Sequence, residues 1–255
     1  MLDVWRLLKR MYRSFLDTRF KKGTVIHNRY QVESFLGAGS YGYSYLCYDT
    51  SQKRLCVLKQ MTKSKKEKEM REQFQQEAFI LKEMEHPQIP TFYESFLDKG
   101  VLFLAMEYIS GMNLEDVLFE KKETFSEQEA LYLVKDIATI LGFVHATGFI
   151  HGDVRIPNVI LRDNHPYLID FGLSTKMKDG RMAQEDFYDL GDFLLFLLYS
   201  TYNGKPKKGR AWTEELTLQP NTRTLIEKLL GIQEPFHETE EIVESVEFLL
   251  KQYVN

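Results

Sequence analysis

Three aspartates, two asparagines and two histidines are packed between short apolar runs in the stretch FIHGDVRIPNVILRDNHPYLIDFGLS, residues 149–174. Asp153 and Asp170 stand against segments as apolar as Val159-Ile160-Leu161 and Tyr167-Leu168-Ile169. A carboxylate beside buried strands is costly unless a cation or strong donors meet it. Asn158 precedes the run Val-Ile-Leu and Asp170 ends the run Tyr-Leu-Ile-Asp, while Arg162 to Pro166 between them reads as a turn. A hairpin of that shape brings Asn158 and Asp170 to the same end. An amide oxygen beside a carboxylate is a pair of hard oxygen ligands, suited to a magnesium ion that keeps waters and substrate phosphates. Asp153, five residues before Asn158, is near enough along the chain to work on the same substrate.

Four further features carry chemistry in combination. Residues 37–42 spell Gly-Ala-Gly-Ser-Tyr-Gly. Glycines at this spacing let backbone N–H groups approach phosphate oxygens closely, although a tight hairpin turn uses similar residues. The dinucleotide-binding version of the pattern opens a helix, whereas here strand-like alternation continues through residues 43–48. Lys59 ends the apolar run Leu-Cys-Val-Leu-Lys, and by itself reads as a strand-end charge reaching water. Glu77 falls in the middle of the helical stripe Met70, Phe74, Leu81 and Met84. An acid facing a core needs a partner, and Lys59 is the nearest upstream candidate; an exposed edge of the stripe is the alternative. Asp186 stands where the strongly apolar run of residues 187–199 begins, and reads as an acid accepting first-turn N–H groups of a helix.

The elements that must position these residues follow from periodicity. Residues 30–39, 41–49 and 53–61 alternate as three strands, the first two joined by the glycine-rich turn. A lysine-rich linker leads into a helix over residues 67–85, ended by His86-Pro87. Strands follow near residues 91–97 and 101–108, and beyond Ser110 the pattern is mostly helical. The chain therefore reads as α+β, with a β-rich front holding one main helix and a helical back. A length of 255 residues fits one large domain or two lobes sharing a cleft. Residues 1–22 read as a basic amphipathic helix that either docks on its own domain or a second copy, or lies on an anionic membrane surface.

Composition excludes several classes. Two cysteines, Cys47 and Cys56, make neither a disulfide framework nor a zinc site, and they point to a reducing compartment, the cytoplasm, with peripheral membrane contact through residues 1–22 as a variant. No apolar run is long enough to span a bilayer, and no signal-peptide pattern opens the chain. The net charge of −4 combines +9 over residues 1–72 with −13 over the rest. A basic front and acidic back suit either lobe-to-lobe attraction or a partner. Such an acidic back is not suited to nucleic acid, and no nucleic-acid recognition module is present.

Together and in this order, these features resemble the eukaryotic-like (Hanks-type) serine/threonine protein kinases, over about residues 28–255. The resemblance implies a bilobal kinase fold, with an extension over residues 1–27, an N-lobe over 28–109 and a C-lobe over 110–255. It implies ATP and Mg2+ as cofactors and protein substrates, the chain itself among them. Gly37, Gly39 and Gly42 then form the flap over the phosphates. Lys59 binds the α- and β-phosphates and pairs with Glu77. Val57 and Ile160 line the adenine site, Met106 is the gatekeeper, and Glu107 and Tyr108 offer backbone bonds to the base. Asp153 is the catalytic aspartate assisted by Arg155, and Asn158 and Asp170 hold the metal. Leu81, Phe92, His151 and Phe171 match a hydrophobic spine anchored at Asp186.

Departures from the family pattern are equally specific. Gly152 stands where an arginine usually precedes the catalytic aspartate, which implies activity independent of activation-loop phosphorylation. Arg155 replaces the usual lysine, Val57 the usual alanine and Ser44 the usual valine around adenine. Fifteen residues separate Asp170 from Asp186, without the usual Ala-Pro-Glu that builds a peptide platform. The late arginine that pairs with its glutamate is also missing. Ser174 and Thr175 are candidate autophosphorylation sites by position alone. The reading is thus a protein kinase acting on itself or a narrow set of proteins. A small-molecule kinase and a nucleotide-binding pseudokinase scaffold are the alternatives.

Overall fold

The computed structural model describes residues 19–39, 42–62, 67–177, 183–204 and 210–253. The expected helix over residues 1–22 lies almost wholly outside the described residues. The Cα framework divides into two units, one of residues 1–85 and 90–108, the other of 86–89 and 109–255.

In the first unit six strands form one antiparallel sheet in the order β1-β2-β3-β4-β6-β5. The strands are β1 (Val25–Ile26), β2 (Tyr30–Ala38), β3 (Gly42–Asp49), β4 (Arg54–Met61), β5 (Phe92–Asp98) and β6 (Val101–Glu107). Alternation along β3 and β4 puts Tyr45, Cys47, Cys56 and Leu58 in one apolar cluster with Tyr30 and Phe103, and turns Val57 and Lys59 to the other face. At one margin Arg29 grips buried Asp49 with two bonds of 2.7 Å and reaches Glu94 at 2.8 Å, while the Tyr30 hydroxyl donates to Glu94. Helix α1 (Glu67–Glu83) packs against β4 and β5.

The second unit is built around α3 (Glu127–Ala146), which follows α2 (Leu114–Phe119). A reciprocal capping box starts α3: Glu129 N–H donates to Ser126 Oγ, and Ser126 N–H donates to the Glu129 carboxylate. Residues are buried nearly all round α3, since it packs against α4 (Ala183–Tyr199) and α7 (Thr239–Lys251); α5 (Trp212–Glu215) and α6 (Pro220–Leu229) lie between these in sequence. Small β ladders carry the loops: β7 (Met112–Asn113) pairs with β9 (Val159–Arg162), β9 with β10 (His165–Leu168), and β8 (Phe149–Ile150) with β11 (Thr175–Lys176).

The β9–β10 hairpin is tighter than expected from Arg162 to Pro166. His165 pairs directly with Arg162, leaving a two-residue turn of Asp163 and Asn164, both at positive φ. That is the geometry of a tight primed turn, and Asp and Asn tolerate it. Pro166 therefore lies inside β10, an edge strand, where a missing N–H disturbs no ladder. Helix α1 likewise stops at Glu83 rather than Glu85, because residues 86–89 turn to join β10: Leu168 N–H donates to Gln88 O at 3.0 Å.

Candidate active site

In the N-terminal unit, the glycine-rich turn joins β2 to β3. Gly39 N–H donates to Gly42 O at 2.9 Å. Added side-chain carbons at Gly37 and Gly39 would meet nothing within 4 Å among the described residues. Gly42 is different: a Cβ would fall 1.9 Å from Gln60 O on β4. Its bare backbone is required for strand packing, a reason the phosphate-cradle reading did not contain.

Lys59 Nζ bonds to Glu77 Oε1, as the sequence pairing anticipates. Both are largely buried, at 18% and 4% side-chain exposure, so neither serves as a surface charge. Glu77 sits amid buried Met70, Phe74 and Leu81 on α1, with buried Met84 just past its end. Val57 stands opposite Met106 in the β4–β6 register. Glu107 offers less to a ligand than expected: its N–H donates to Thr91 O at 2.9 Å, and its carboxylate accepts the Thr91 hydroxyl at 2.9 Å. Of its backbone groups, only the carbonyl can be assigned to a base.

In the C-terminal unit, the 151–158 loop holds Asp153 and Asn158 together. The Asn158 amide donates to Asp153 Oδ2 at 2.7 Å and to Asp153 O at 2.9 Å. Both Asn158 N–H bonds are thus directed at Asp153, which turns the amide oxygen the other way. Pairing of β9 with β10 extends through Ile169 N–H to Asn158 O at 2.9 Å, so the residue beside Asp170 is locked to Asn158. Asp170 itself has φ +66, an uncommon conformation for a non-glycine residue, and accepts from Gly172 N–H at 3.3 Å. Ile160 is half-buried on β9. Arg155 lies 3.7 Å from Asp153 Oδ1 and is mostly exposed.

His151 organises both aspartates. Burial pushes its imidazole below the usual range, so the ring is neutral near pH 7. Its Nε2–H donates to Ile169 O at 3.2 Å, and Nδ1 accepts Asp153 N–H at 3.3 Å. One neutral ring therefore touches the backbone of residue 153 and that of the residue before Asp170. Phe171 meets the same ring edge-on at 4.8 Å.

Asp186 does not cap its helix, as the local reading has it, but holds His151, as the family resemblance implies. It is fully buried, and its oxygens turn to the loop: His151 N–H donates at 2.9 Å, Gly152 N–H at 2.7 Å, and His145 Nε2 lies at 2.8 Å. Gly152 has φ +75, and a Cβ there would come 3.0 Å from Leu173 O.

Sequence reasoning missed Asp189. One helical turn beyond Asp186, its Oδ2 accepts Val154 N–H at 3.1 Å, and burial pushes its carboxyl up to about 6. Carboxylates at positions i and i+3 of one helix thus hold amides on both sides of Asp153. The spacing of the two acids in Asp-Phe-Tyr-Asp was the only available signal. Ser174, a candidate modification site, is buried and donates to His151 O at 2.9 Å. It does not present a hydroxyl to an incoming phosphate.

The description of a protein kinase domain matches residues 30–190 of the chain. The chain is 42% identical over 247 residues to a probable serine/threonine-protein kinase, YbdM, of Bacillus subtilis, covering 94% of this chain and 96% of that protein. Serine/threonine-protein kinase C of Synechocystis is 35% identical over 58% of this chain and 30% of that protein. Human NUAK family SNF1-like kinase 1 is 29% identical over 72% of this chain, so this chain spans only about a quarter (27%) of that longer protein. A domain match over more than half of its length, with a full-length bacterial relative, means that this chain belongs to the protein kinase family.

Proposed function

We propose that the chain transfers the γ-phosphoryl group of ATP to serine and threonine hydroxyls of proteins. The names of its bacterial relatives support that acceptor class and lend none to small-molecule transfer or to a scaffold role. ATP and Mg2+ are the cofactors general to the family, and the donor set here fits them. The Asn158 amide oxygen, turned away from Asp153, and the Asp170 carboxylate would hold the ion. Bound there, magnesium supplies charge neutralisation for the triphosphate.

The residues divide the remaining work. Lys59, held by Glu77, meets the α- and β-phosphates, and Gly37, Gly39 and Gly42 bring backbone N–H groups over them. Val57 and Ile160 are the apolar residues assigned to the base, with Glu107 O and Tyr108 as its polar contacts. Asp153 accepts the proton of the attacking hydroxyl, its carboxylate oriented by the Asn158 amide at 2.7 Å. Arg155, a permanently charged guanidinium near Asp153, meets the transferring phosphoryl group. The observation that carries this reading is the pair of hydrogen bonds that the Asn158 amide donates to Asp153, which makes a base and a metal ligand into one unit.

The short stretch between Asp170 and Asp186, without Ala-Pro-Glu, supports a narrow set of protein acceptors, the chain itself included. The test is transfer from ATP labelled on the γ-phosphate, in wild type and in Asp153→Asn and Asp170→Asn. Label on protein should fall at least a hundredfold in both. Magnesium-dependent ATP affinity should fall in Asp170→Asn and hold in Asp153→Asn. Equal affinity in the two variants would remove the division of labour, and undiminished transfer in Asp153→Asn would remove the base.

A further inference from the structure

Val154, directly after Asp153, is buried, and its N–H donates to Asp189 Oδ2 at 3.1 Å. A carboxylate of α4 therefore holds the residue next to the base. On the other side of Asp153, Gly152 N–H donates to Asp186 Oδ1 at 2.7 Å. Asp186 and Asp189 stand three positions apart, so the backbone on both sides of Asp153 hangs from one helical face.

The two acids work under different conditions. Asp186 is fully buried and has His145 Nε2 at 2.8 Å. Asp189 is half-buried and lines a hollow of about 430 Å3 together with Asp153, so solvent protons reach it. Among the described residues no basic side chain pairs with Asp189. The charges that face it are acids: Asp186 and Asp192 on its own helix, Asp153 on the loop and Glu115 of α2. The one cation lining the hollow, Arg155, lies 3.7 Å from Asp153. Helix α3 brings His145, already bonded to Asp186; α6 meets α4 at Gly191 through Leu229 and Leu230, and β8 brings Phe149 and Ile150.

Burial, reinforced by these acids, lifts the Asp189 carboxyl to about 6. Ionised at neutral pH, the group therefore subtracts from the stability of the fold. A side chain that weakens the fold and yet grips the neighbour of the base serves the reaction.

We infer that Asp189 is a positioning residue for phosphoryl transfer: its ionised carboxylate grips the Val154 amide and so sets the direction in which Asp153 meets the acceptor hydroxyl. The inference rests on the kinase reading and deepens it. Protonation leaves a weaker acceptor, because a hydrogen bond to an ionised oxygen is roughly twice as strong as one to a neutral oxygen. The loop then loosens on its Val154 side while Asp186 still holds the Gly152 side. Transfer slows as Asp189 takes up its proton, and nucleotide binding, which uses other residues, does not weaken.

The test uses the full chain, γ-labelled Mg-ATP at varied concentration and a fixed pool of serine peptides. Asp189→Asn keeps an oxygen for the Val154 N–H and removes the charge. At about pH 7.5 it should lower kcat about fivefold and leave KM for ATP within about twofold of wild type. Its urea midpoint at that pH should rise, so activity and stability move in opposite directions, which a purely structural role would not produce. At about pH 5 the two kcat values should converge to within about twofold. In wild type alone, deuterium exchange at the Val154 amide, measured against the Gly152 amide, should be faster at about pH 5 than at about pH 7.5. Equal kcat values at neutral pH, a ratio of kcat values that ignores pH, or a joint fall of kcat and midpoint overturns the inference and leaves the kinase reading standing. If Asp189→Asn does not fold, an exchange ratio of Val154 to Gly152 that ignores pH has the same force. A wild type that transfers no phosphate takes down both.

Discussion

Gly152 N–H donates to Asp186 Oδ1 at 2.7 Å, across 34 positions of sequence. The other oxygen of that carboxylate receives His151 N–H and lies 2.8 Å from His145 Nε2. A fully buried acid thus fixes the entry to the 151–158 loop. A carboxamide offers one acceptor oxygen and would aim its own N–H groups at an amide or a ring nitrogen. Asp186→Asn should therefore cost about 2–4 kcal/mol. Its urea midpoint should drop accordingly, together with the rate of phosphoryl transfer. A wild-type midpoint would mean that the loop holds its shape without this acid.

Glycines in the 37–42 turn should respond in opposite ways to the same methyl group. A Cβ at Gly42 would overlap Gln60 O at 1.9 Å, so Gly42→Ala must push β3 away from β4. Overpacking of this kind costs about 1–3 kcal/mol, several degrees of melting temperature in a chain of this size. A Cβ at Gly39 meets nothing within 4 Å among the described residues, so Gly39→Ala should melt within about a degree of wild type. Its defect should show in ATP affinity instead, because a methyl group holds phosphate oxygens away from the backbone. Thermal melts with and without Mg-ATP separate the two, and equal destabilisation would refute the contrast.

Acid should act on stability in two windows of opposite sign. Burial lifts the Asp189 carboxyl from its ordinary 3.8 to about 6. Between about pH 4 and pH 6 the folded chain therefore holds a proton that the unfolded chain lacks, and this group's contribution falls as pH rises. Asp49 runs the other way: Arg29 pulls its carboxyl down to about 2, so its contribution is present above about pH 4 and is lost as pH falls towards 2. Urea midpoints measured from pH 2 to 7 should lose the upper slope in Asp189→Asn and the lower one in Asp49→Asn. A variant whose profile runs parallel to wild type in its own window would show that its acid does not titrate as described.

What the sequence disclosed depended on how far each residue's partner lay from it. Glu77 was legible because helical period alone puts it in a buried stripe, and a buried acid demands a cation. The β9–β10 hairpin was legible in kind, since apolar runs flank turn-forming residues. Its length was not, because Pro166 looked like part of the turn until β10 proved to be an edge strand. The local reading of Asp186 as a helix cap misled for the opposite reason, while the family resemblance had it as an anchor. A local rule accounts for an acid at a helix start, yet its donors come from a loop more than thirty residues earlier. Asp189 announced itself even less, because a half-buried acid on an apolar helix has no period of its own. The hidden hydroxyl of Ser174 likewise depends on a bond to His151 O that no local pattern encodes.

Cys47 and Cys56 face each other across β3 and β4, both at zero exposure, and burial pushes Cys56 up to about 12 and Cys47 higher still. Only a thiolate alkylates readily, so neither sulfur reacts while those strands stay zipped. With no other cysteine in the chain, a timed pulse of maleimide becomes a built-in stopwatch for breathing of the N-terminal sheet, with nothing engineered into the protein.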